Sequence, residues 1–242
     1  MEPQTKIIFL HGNPGSPNDF DSLINQLNCD RKTILLPNFM LFDNPVEETI
    51  SYVNTQLNNK TSNLVIIAYS YGAYLACKMM ENESFAQKHS IKSLIFISPY
   101  VLPQNKLSFF AKLIMSIPIL KNIIAKKIAI AKYNGFKKEI LGDFENATKI
   151  ISGLSEFLLK PETWIQALNL KRYQEKNEVN GKFNIPNISF FSKDDQVMDI
   201  SAQADFIHRM FSNPVFEYLP TGNHGLIWTK TDSLAISLRN KI

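Results

Sequence analysis

Arginine, glycine and cysteine are all scarce in this chain of 242 residues. Only four of its 26 basic residues are arginine, and the formal net charge is a modest +4. Because arginine is the side chain that best forms paired hydrogen bonds with bases and phosphates, the low arginine content and small net charge argue against a nucleic-acid-binding protein. The two cysteines, Cys29 and Cys77, are too few for a disulfide framework or a cysteine zinc site, so we expect reduced thiols.

Long uncharged apolar runs are also missing. Lysines and Pro118 interrupt the most apolar region, about 107–131, before it reaches the ~18 apolar residues that a membrane span needs. The first residues, MEPQTKIIFL, lack the basic segment and long apolar core of a secretory signal. We therefore expect a cytoplasmic protein without a transmembrane segment. A hydrophobic content of 45% excludes a disordered chain.

Short apolar runs alternate with amphipathic stretches in the first hundred residues and again after Pro186. Continuous apolar strands separated by helices predict a mostly parallel, six-stranded α/β sheet with helices on both faces. The predicted strands are Lys6–Leu10, Thr33–Leu36, Leu64–Tyr69, Lys92–Ser98, Asn187–Ser192 and Val215–Leu219. The predicted helices between and after them are Asn18–Asn28, Pro45–Asn59, Tyr71–Met80, Ser201–Phe211 and Leu226–Arg239.

Residues 100–185 interrupt this alternation with helical patterns, among them Phe144–Leu159 and Pro161–Lys176. They predict a helical lid (residues 100–185) inserted after the fourth strand into a core formed by residues 1–99 and 186–242. The lid carries 14 basic and seven acidic residues, a net charge of +7, which leaves −3 for the core. The lysines interleave with apolar residues, as on amphipathic helices.

The segment Ala68–Gly72 (AYSYG) joins an apolar strand to a predicted helix. A sharp strand-to-helix turn exposes its central side chain, here Ser70, and small residues two positions away let the two backbones approach. A serine hydroxyl needs a base within hydrogen-bond reach and a group that orients the base. Ser70 is therefore a candidate nucleophile.

His224 is the candidate base, because it follows the last predicted strand in the loop Thr221–Gly225 (TGNHG). Sites of α/β proteins assemble in such loops at the carboxyl ends of strands. We expect His89, in a polar stretch, and His208, inside a predicted helix, to be surface residues. The candidate orienting acids follow the fifth strand: Asp194, Asp195 and Asp199 all compete.

An oxyanion hole would need backbone N–H donors near the serine. Tyr71 follows Ser70 directly, and the loop His11–Gly15 (HGNPG) follows the first strand. We select the Asn13 N–H as the second donor, since Pro14 has none. His11, with Gly12, is expected to shape this loop rather than transfer protons. Glycine occurs only nine times in the chain, yet five of the nine lie in these three loops.

These motifs occur in an order that resembles the α/β-hydrolase fold: oxyanion loop, serine, acid, histidine. The resemblance covers nearly the whole chain, with the lid in the position of the variable lid of that superfamily. It implies Ser70 as nucleophile, His224 as base, Asn13 and Tyr71 as oxyanion donors, and Gly12 and Gly72 in supporting turns. It also implies Asp195 as the acid, because Ser192 stands at the glycine of the superfamily's G-x-x-D turn.

The resemblance implies a serine esterase, thioesterase, lipase or amidase that needs no metal and no organic cofactor. The HGNP loop is also similar to that of haloalkane dehalogenases, but those enzymes and the epoxide hydrolases have aspartate where Ser70 stands. We expect a hydrolase of carboxylic esters or thioesters with a hydrophobic acyl chain. The alternatives are an acyl-carrier-protein methyl ester esterase, a lysophospholipase or monoacylglycerol lipase, other chemistry on this fold, and a non-catalytic binding protein.

The basic lid allows three interpretations. Its lysines could simply solvate the outer face, dock an acidic acyl-carrier protein, or contact anionic lipid.

Overall fold

The computed structural model describes residues 5–104, 157–239 and 241–242. Between 105 and 156 it describes only a few positions, which are Lys126, Lys127, Ile130, Tyr133, Gly135, Ile140, Leu141, Ile150 and Leu154. Half of the predicted lid lies outside the described residues, including most of the helix predicted over Phe144–Leu159 and most of the lysines between residues 101 and 140. None of the described helices has both the length and the apolar character needed to cross a bilayer.

Six strands form one all-parallel sheet in the order β2-β1-β3-β4-β5-β6. The strands are β1 (Lys6–Leu10), β2 (Ile34–Leu35), β3 (Asn63–Tyr69), β4 (Ser90–Ile97), β5 (Asn187–Ser192) and β6 (Pro214–Leu219). The prediction of a six-stranded parallel α/β sheet is confirmed. The chain runs outward from β1 to β2 and then returns to β3 on the other side of β1, so the carboxyl ends of β1 and β3 meet where the strand order reverses. Open α/β sheets bind ligands at this switch point.

Helices cover both faces of the sheet, because alternate strand residues point to opposite sides. Ile8, Leu10, Ile66 and Phe96 are among those that pack on one face, and Ile7, Phe9, Val65 and Ile95 on the other. The first face is covered by α2 (Pro45–Gln56), α3 (Tyr71–Glu81), α4 (Glu83–Lys88), α5 (Pro161–Lys176) and α6 (Ile200–Met210). The second is covered by α1 (Asp21–Leu27), α7 (Leu226–Thr229) and α8 (Thr231–Leu238).

Some predicted helices differ from the observed ones. The first begins as a 3-10 turn over Pro17–Phe20, and α4 was not predicted. The helix predicted over Leu226–Arg239 is two helices, because the chain leaves helical geometry at Lys230. There the Thr231 hydroxyl donates to the Ile227 carbonyl at 2.8 Å, which competes with the helical hydrogen-bond ladder. By contrast, α5 has the predicted bounds, and Pro161 lies in its first turn.

Candidate active site

Ser70 lies in a sharp turn between β3 and α3. Its backbone has φ 52° and ψ −118°, a conformation that residues other than glycine adopt rarely and that costs free energy. The turn brings α3 against β1 so closely that a Cβ at position 72 would lie 2.2 Å from the Leu10 carbonyl oxygen. Only glycine fits at Gly72, and the close packing holds Ser70 in its strained position.

Ser70, His224 and Asp195 form one chain of hydrogen bonds. The Ser70 Oγ is 2.9 Å from the Nε2 of His224, and the Nδ1 of that histidine is 2.8 Å from the Oδ2 of Asp195. All three side chains are buried, and that of Asp195 has an exposed fraction of 0%. The other oxygen of Asp195 accepts the backbone N–H groups of Val197 and Met198, at 2.8 and 3.3 Å. The carboxylate is thus fixed on both sides, with one oxygen aimed at the imidazole.

Asp194 and Asp199, the other candidate acids, have different partners. Asp194 accepts hydrogen bonds from the Ser192 hydroxyl and from the backbone N–H groups of Asn223 and Gly222, so it fastens the histidine loop to the end of β5. Burial alone would raise the pKa of Asp194, but these hydrogen bonds outweigh it and hold the pKa below its ordinary value. Asp199 caps α6 by accepting the Ala202 N–H.

Asn223, which the sequence did not single out, joins the two loops a second time. Its Oδ1 accepts the Gln196 N–H at 3.1 Å and the His224 N–H at 2.9 Å. Its backbone φ of 51° lies in the left-handed region, which asparagine tolerates better than most residues. A polar residue directly before the histidine in a glycine-flanked loop was the available signal.

The loop after β1 lies beside the serine. Asn13 and Tyr71 both border the same cavity as Ser70, and Tyr71 is the first residue of α3, whose N–H has no partner within the helix. A Cβ at Gly12 would lie 2.9 Å from the Tyr69 ring, so this ring packs directly against the loop backbone and would have to shift to admit a side chain. The side chains of Asn13 and Tyr71 both form hydrogen bonds with α5. The Nδ2 of Asn13 donates to the Ala167 carbonyl at 2.9 Å, and the Tyr71 hydroxyl donates to the Leu170 carbonyl at 3.2 Å.

His11 is buried behind this loop. Its Nδ1 donates to the Gly12 carbonyl at 2.8 Å, and its ring stacks on Phe39 with the ring centroids 3.8 Å apart. Burial lowers the pKa of His11 to about 4, despite the hydrogen bond to Gly12, so the ring is neutral near pH 7. The role of His11 in shaping the loop stays a prediction.

A cavity of about 470 Å³ opens at Ser70. Aromatic side chains form much of its wall, and α5 contributes residues at helical spacing, which the sequence analysis did not assign to the site. The lining residues beyond Asn13, Ser70, Tyr71 and His224 are Pro14, Tyr69, Tyr100, Gln104, Ile140, Trp164, Lys171, Gln174, Gln196, Val197 and Trp228. Tyr69 packs beside His224 with ring centroids 5.7 Å apart, and Trp228 lies edge-on to Tyr69.

The remaining histidines lie away from this cavity. His208 is exposed on α6, as predicted. The prediction that His89 is a surface residue was wrong: its side chain packs on Phe85, and its Nε2 donates to the Asn54 Oδ1 at 3.1 Å. The short helix α4, which the sequence did not predict, folds Phe85 over His89.

Among the described residues, no cluster of three or more His, Cys, Asp or Glu side chains could hold a metal ion.

Solved structures of other proteins superpose on nearly the whole chain. An esterase from Exiguobacterium antarcticum matches with a TM-score of 0.70 at 15% identity, covering 99% of this chain and 92% of the esterase. The peroxisomal α/β-hydrolase of Saccharomyces cerevisiae matches with a TM-score of 0.65 at 13% identity, covering 99% of this chain and 77% of that protein.

The chain has the α/β-hydrolase fold.

A third structure with this α/β-hydrolase fold is 2-hydroxy-6-oxo-6-phenylhexa-2,4-dienoate hydrolase from Rhodococcus sp. strain RHA1. It matches with a TM-score of 0.70 at 12% identity and covers 99% of this chain and 90% of that enzyme. No protein-family model matches the chain, and no curated protein matches it in sequence.

Proposed function

We propose that the protein is a serine hydrolase that cleaves carboxylic ester or thioester bonds of an acyl substrate through an acyl-enzyme. The observation that carries this proposal is the hydrogen-bonded chain from Asp195 through His224 to Ser70, which opens into a cavity. A serine so placed has both the base and the orienting acid that its hydroxyl needs. The esterases among the structures of the same fold add support.

The proposed first half-reaction forms the acyl-enzyme. The Ser70 Oγ attacks the substrate carbonyl carbon while His224 Nε2 takes the hydroxyl proton. The carbonyl oxygen becomes negative and accepts hydrogen bonds from the N–H groups of Tyr71 and Asn13. When the tetrahedral intermediate collapses, His224 gives its proton to the leaving alcohol or thiol. Asp195 keeps the Nδ1–H of the imidazole facing the carboxylate, which leaves Nε2 as the acceptor.

The second half-reaction returns the free enzyme. His224 Nε2 takes a proton from water, whose oxygen attacks the acyl carbon, and the same N–H groups stabilise the new oxyanion. Collapse releases the carboxylic acid as the proton passes back to Ser70 Oγ. No metal or organic cofactor is required for either half.

The cavity wall supports an acyl substrate with an apolar part. Trp164 and Trp228 line it, and rings of this size contribute apolar contact area. We further propose that the basic lid recruits an acidic acyl-carrier protein, since Lys126 and Lys127 are exposed and opposite charges steer association. Anionic lipid is the competing partner for the same charge.

A fluorophosphonate probe tests the proposed nucleophile, because it phosphonylates activated serines. We expect labelling of the wild-type protein, none of Ser70→Ala, and a loss of several orders of magnitude in aryl ester hydrolysis by Ser70→Ala. An unlabelled wild-type protein, or equal labelling of Ser70→Ala, would contradict the proposal. A labelled serine with negligible turnover of short and long esters would instead favour other hydrolytic chemistry at the same residue, and an unlabelled, inert protein would favour a binding function.

A further inference from the structure

The helix α5 accepts hydrogen bonds from both residues that would supply the oxyanion N–H groups. Asn13 Nδ2 donates to the Ala167 carbonyl at 2.9 Å, and the Tyr71 hydroxyl donates to the Leu170 carbonyl at 3.2 Å. Asn13 follows β1 and Tyr71 follows β3, so the two come from different parts of the core. Through their side chains they meet on one helix from the region predicted as lid.

The two acceptors are close together on α5. Ala167 and Leu170 are three residues apart, which places them nearly one turn apart and roughly 4.5 Å along the helix axis. A displacement of that turn would therefore act on both Asn13 and Tyr71. Neither hydrogen bond uses the backbone N–H of Asn13 or Tyr71, so both bonds are compatible with the proposed role of these N–H groups as oxyanion donors.

Other hydrogen bonds hold α5 on either side of this turn. Gln166 Nε2 donates to the Phe42 carbonyl at 2.9 Å, and the buried Gln174 donates to the carbonyls of Tyr100 and Val101 at 3.1 and 3.0 Å. The turn that bonds Asn13 and Tyr71 lies between these anchors. The same helix lines the cavity with Trp164, Lys171 and Gln174, so α5 contacts both the cavity and the two proposed oxyanion residues.

We propose that α5 sets the geometry of the oxyanion hole, with the side chains of Asn13 and Tyr71 acting as positioning residues. The inference rests on the proposed function, because it assigns a second, side-chain role to the two proposed N–H donors. Such a role matters because oxyanion donors stabilise the transition state only when they are held at the right distance beforehand.

The test compares Tyr71→Phe with Tyr74→Phe in aryl ester hydrolysis. Both changes remove a hydroxyl on α3 that donates to a carbonyl at or just beyond α5, since the Tyr74 hydroxyl donates to the Asn177 carbonyl at 2.8 Å. Both keep the ring and the backbone N–H. We expect Tyr71→Phe to lower kcat about tenfold with KM within twofold, while Tyr74→Phe keeps kcat within twofold. Asn13→Ala, which also keeps its N–H, should resemble Tyr71→Phe.

The double variant Asn13→Ala/Tyr71→Phe should approach the ~10²- to 10³-fold loss that follows removal of one oxyanion donor. Thermal unfolding of every variant separates this effect from general destabilisation, and Tyr71→Phe carries the test if Asn13→Ala does not fold. Wild-type kcat in Tyr71→Phe, an equal loss in Tyr74→Phe, or a loss confined to KM would overturn the inference while leaving the proposed function intact. A wild-type protein with neither esterase activity nor probe labelling would overturn both.

Discussion

Two buried ionisable side chains lie beneath the loop after β1, and burial shifts their pKa values in opposite senses. Burial raises the pKa of Asp19 to about 7, against the lowering effect of its hydrogen bonds with Ser16, and it lowers the pKa of His11 to about 4. A Cβ at Gly15 would lie 2.6 Å from Asp19 Oδ2, so this carboxyl touches the loop itself. Between about pH 4 and pH 7 both groups are therefore buried mainly in their neutral forms, and each couples folding to pH.

Asp19→Asn should change how stability depends on pH. The folded pKa of Asp19, about 7, exceeds its ordinary 3.8, so its contribution is complete below pH 3.8 and is lost as the pH rises through 7. His11 acts in the other direction: its contribution is present above pH 6.5 and lost as the pH falls through 4. The wild-type free energy of unfolding, minus that of Asp19→Asn, should fall by about 4 kcal/mol between pH 4 and pH 8.

Urea unfolding of both proteins at pH 4, 6 and 8 measures this difference, in which the His11 contribution cancels. Asparagine can still accept the Ser16 N–H, which Asp19 accepts at 3.0 Å, so the comparison isolates the titration. Parallel stability curves for the two proteins would contradict the prediction.

The three acids that follow β5 should separate sharply in activity. Asp195→Asn leaves the imidazole without its orienting carboxylate and should lower kcat by about four orders of magnitude. Asp194→Asn disturbs only the fastening of the histidine loop, so we expect about a tenfold loss together with a lower Tm. Asp199→Asn, the matched control at the α6 cap, should retain wild-type kcat. Steady-state ester hydrolysis and thermal unfolding give both readings, and similar losses at 194 and 195 would refute the assignment.

At the scale of elements, the approach of α3 to β1 holds the serine turn. Gly72→Ala would put a Cβ 2.2 Å from the Leu10 carbonyl oxygen, a backbone atom that cannot yield without moving β1. We expect the free energy of unfolding to fall by about 3 kcal/mol or more. In Gly181→Ala the new Cβ meets the movable Phe183 ring at 2.7 Å, so a loss of about 1 kcal/mol or less is expected. Comparable urea midpoints for the two variants would contradict this prediction, because they would mean that β1 and α3 can move apart to admit the Cβ at little cost.

The sequence predicts elements better than contacts, for a physical reason. Continuous apolar runs and helical spacing are local, so β1, β3 and α5 follow from the sequence alone. The break at Lys230 has no local signal in the apolar spacing, and His89 packs on Phe85, which lies in a helix too short to have a clear period. The hydrogen bond from Asn13 to Ala167 joins residues 154 positions apart, and no local pattern marks it. The choice of Asp195 over its neighbour came from the resemblance, not from spacing.

The whole molecule divides its charge unevenly, with +7 in residues 100–185 and −3 elsewhere. Attraction between exposed charges is screened by salt, so if the lid docks an acidic partner, the rate with that partner should fall as the salt concentration rises. Replacing the exposed Lys126 and Lys127 by glutamine should lower kcat/KM for an acyl-carrier-protein ester several-fold at low salt.

The same variant should hydrolyse a short aryl ester normally, and its defect should disappear at about 0.5 M salt. Replacing Lys60 and Lys92, which are exposed at the amino ends of β3 and β4, makes the matched control with the same change in net charge. An unchanged rate with the carrier-protein ester would contradict the proposal that Lys126 and Lys127 dock a carrier protein.

The site is built at the carboxyl edge of the sheet, and this leaves the opposite edge open to engineering. The turn at Asn58 and Asn59, between α2 and β3, is exposed and lies a full strand length from Ser70. Exposed turns with small polar residues tolerate insertion best. A label, a fused domain or a solid support attached there would leave the cavity facing outward, so the protein can be immobilised in one defined orientation.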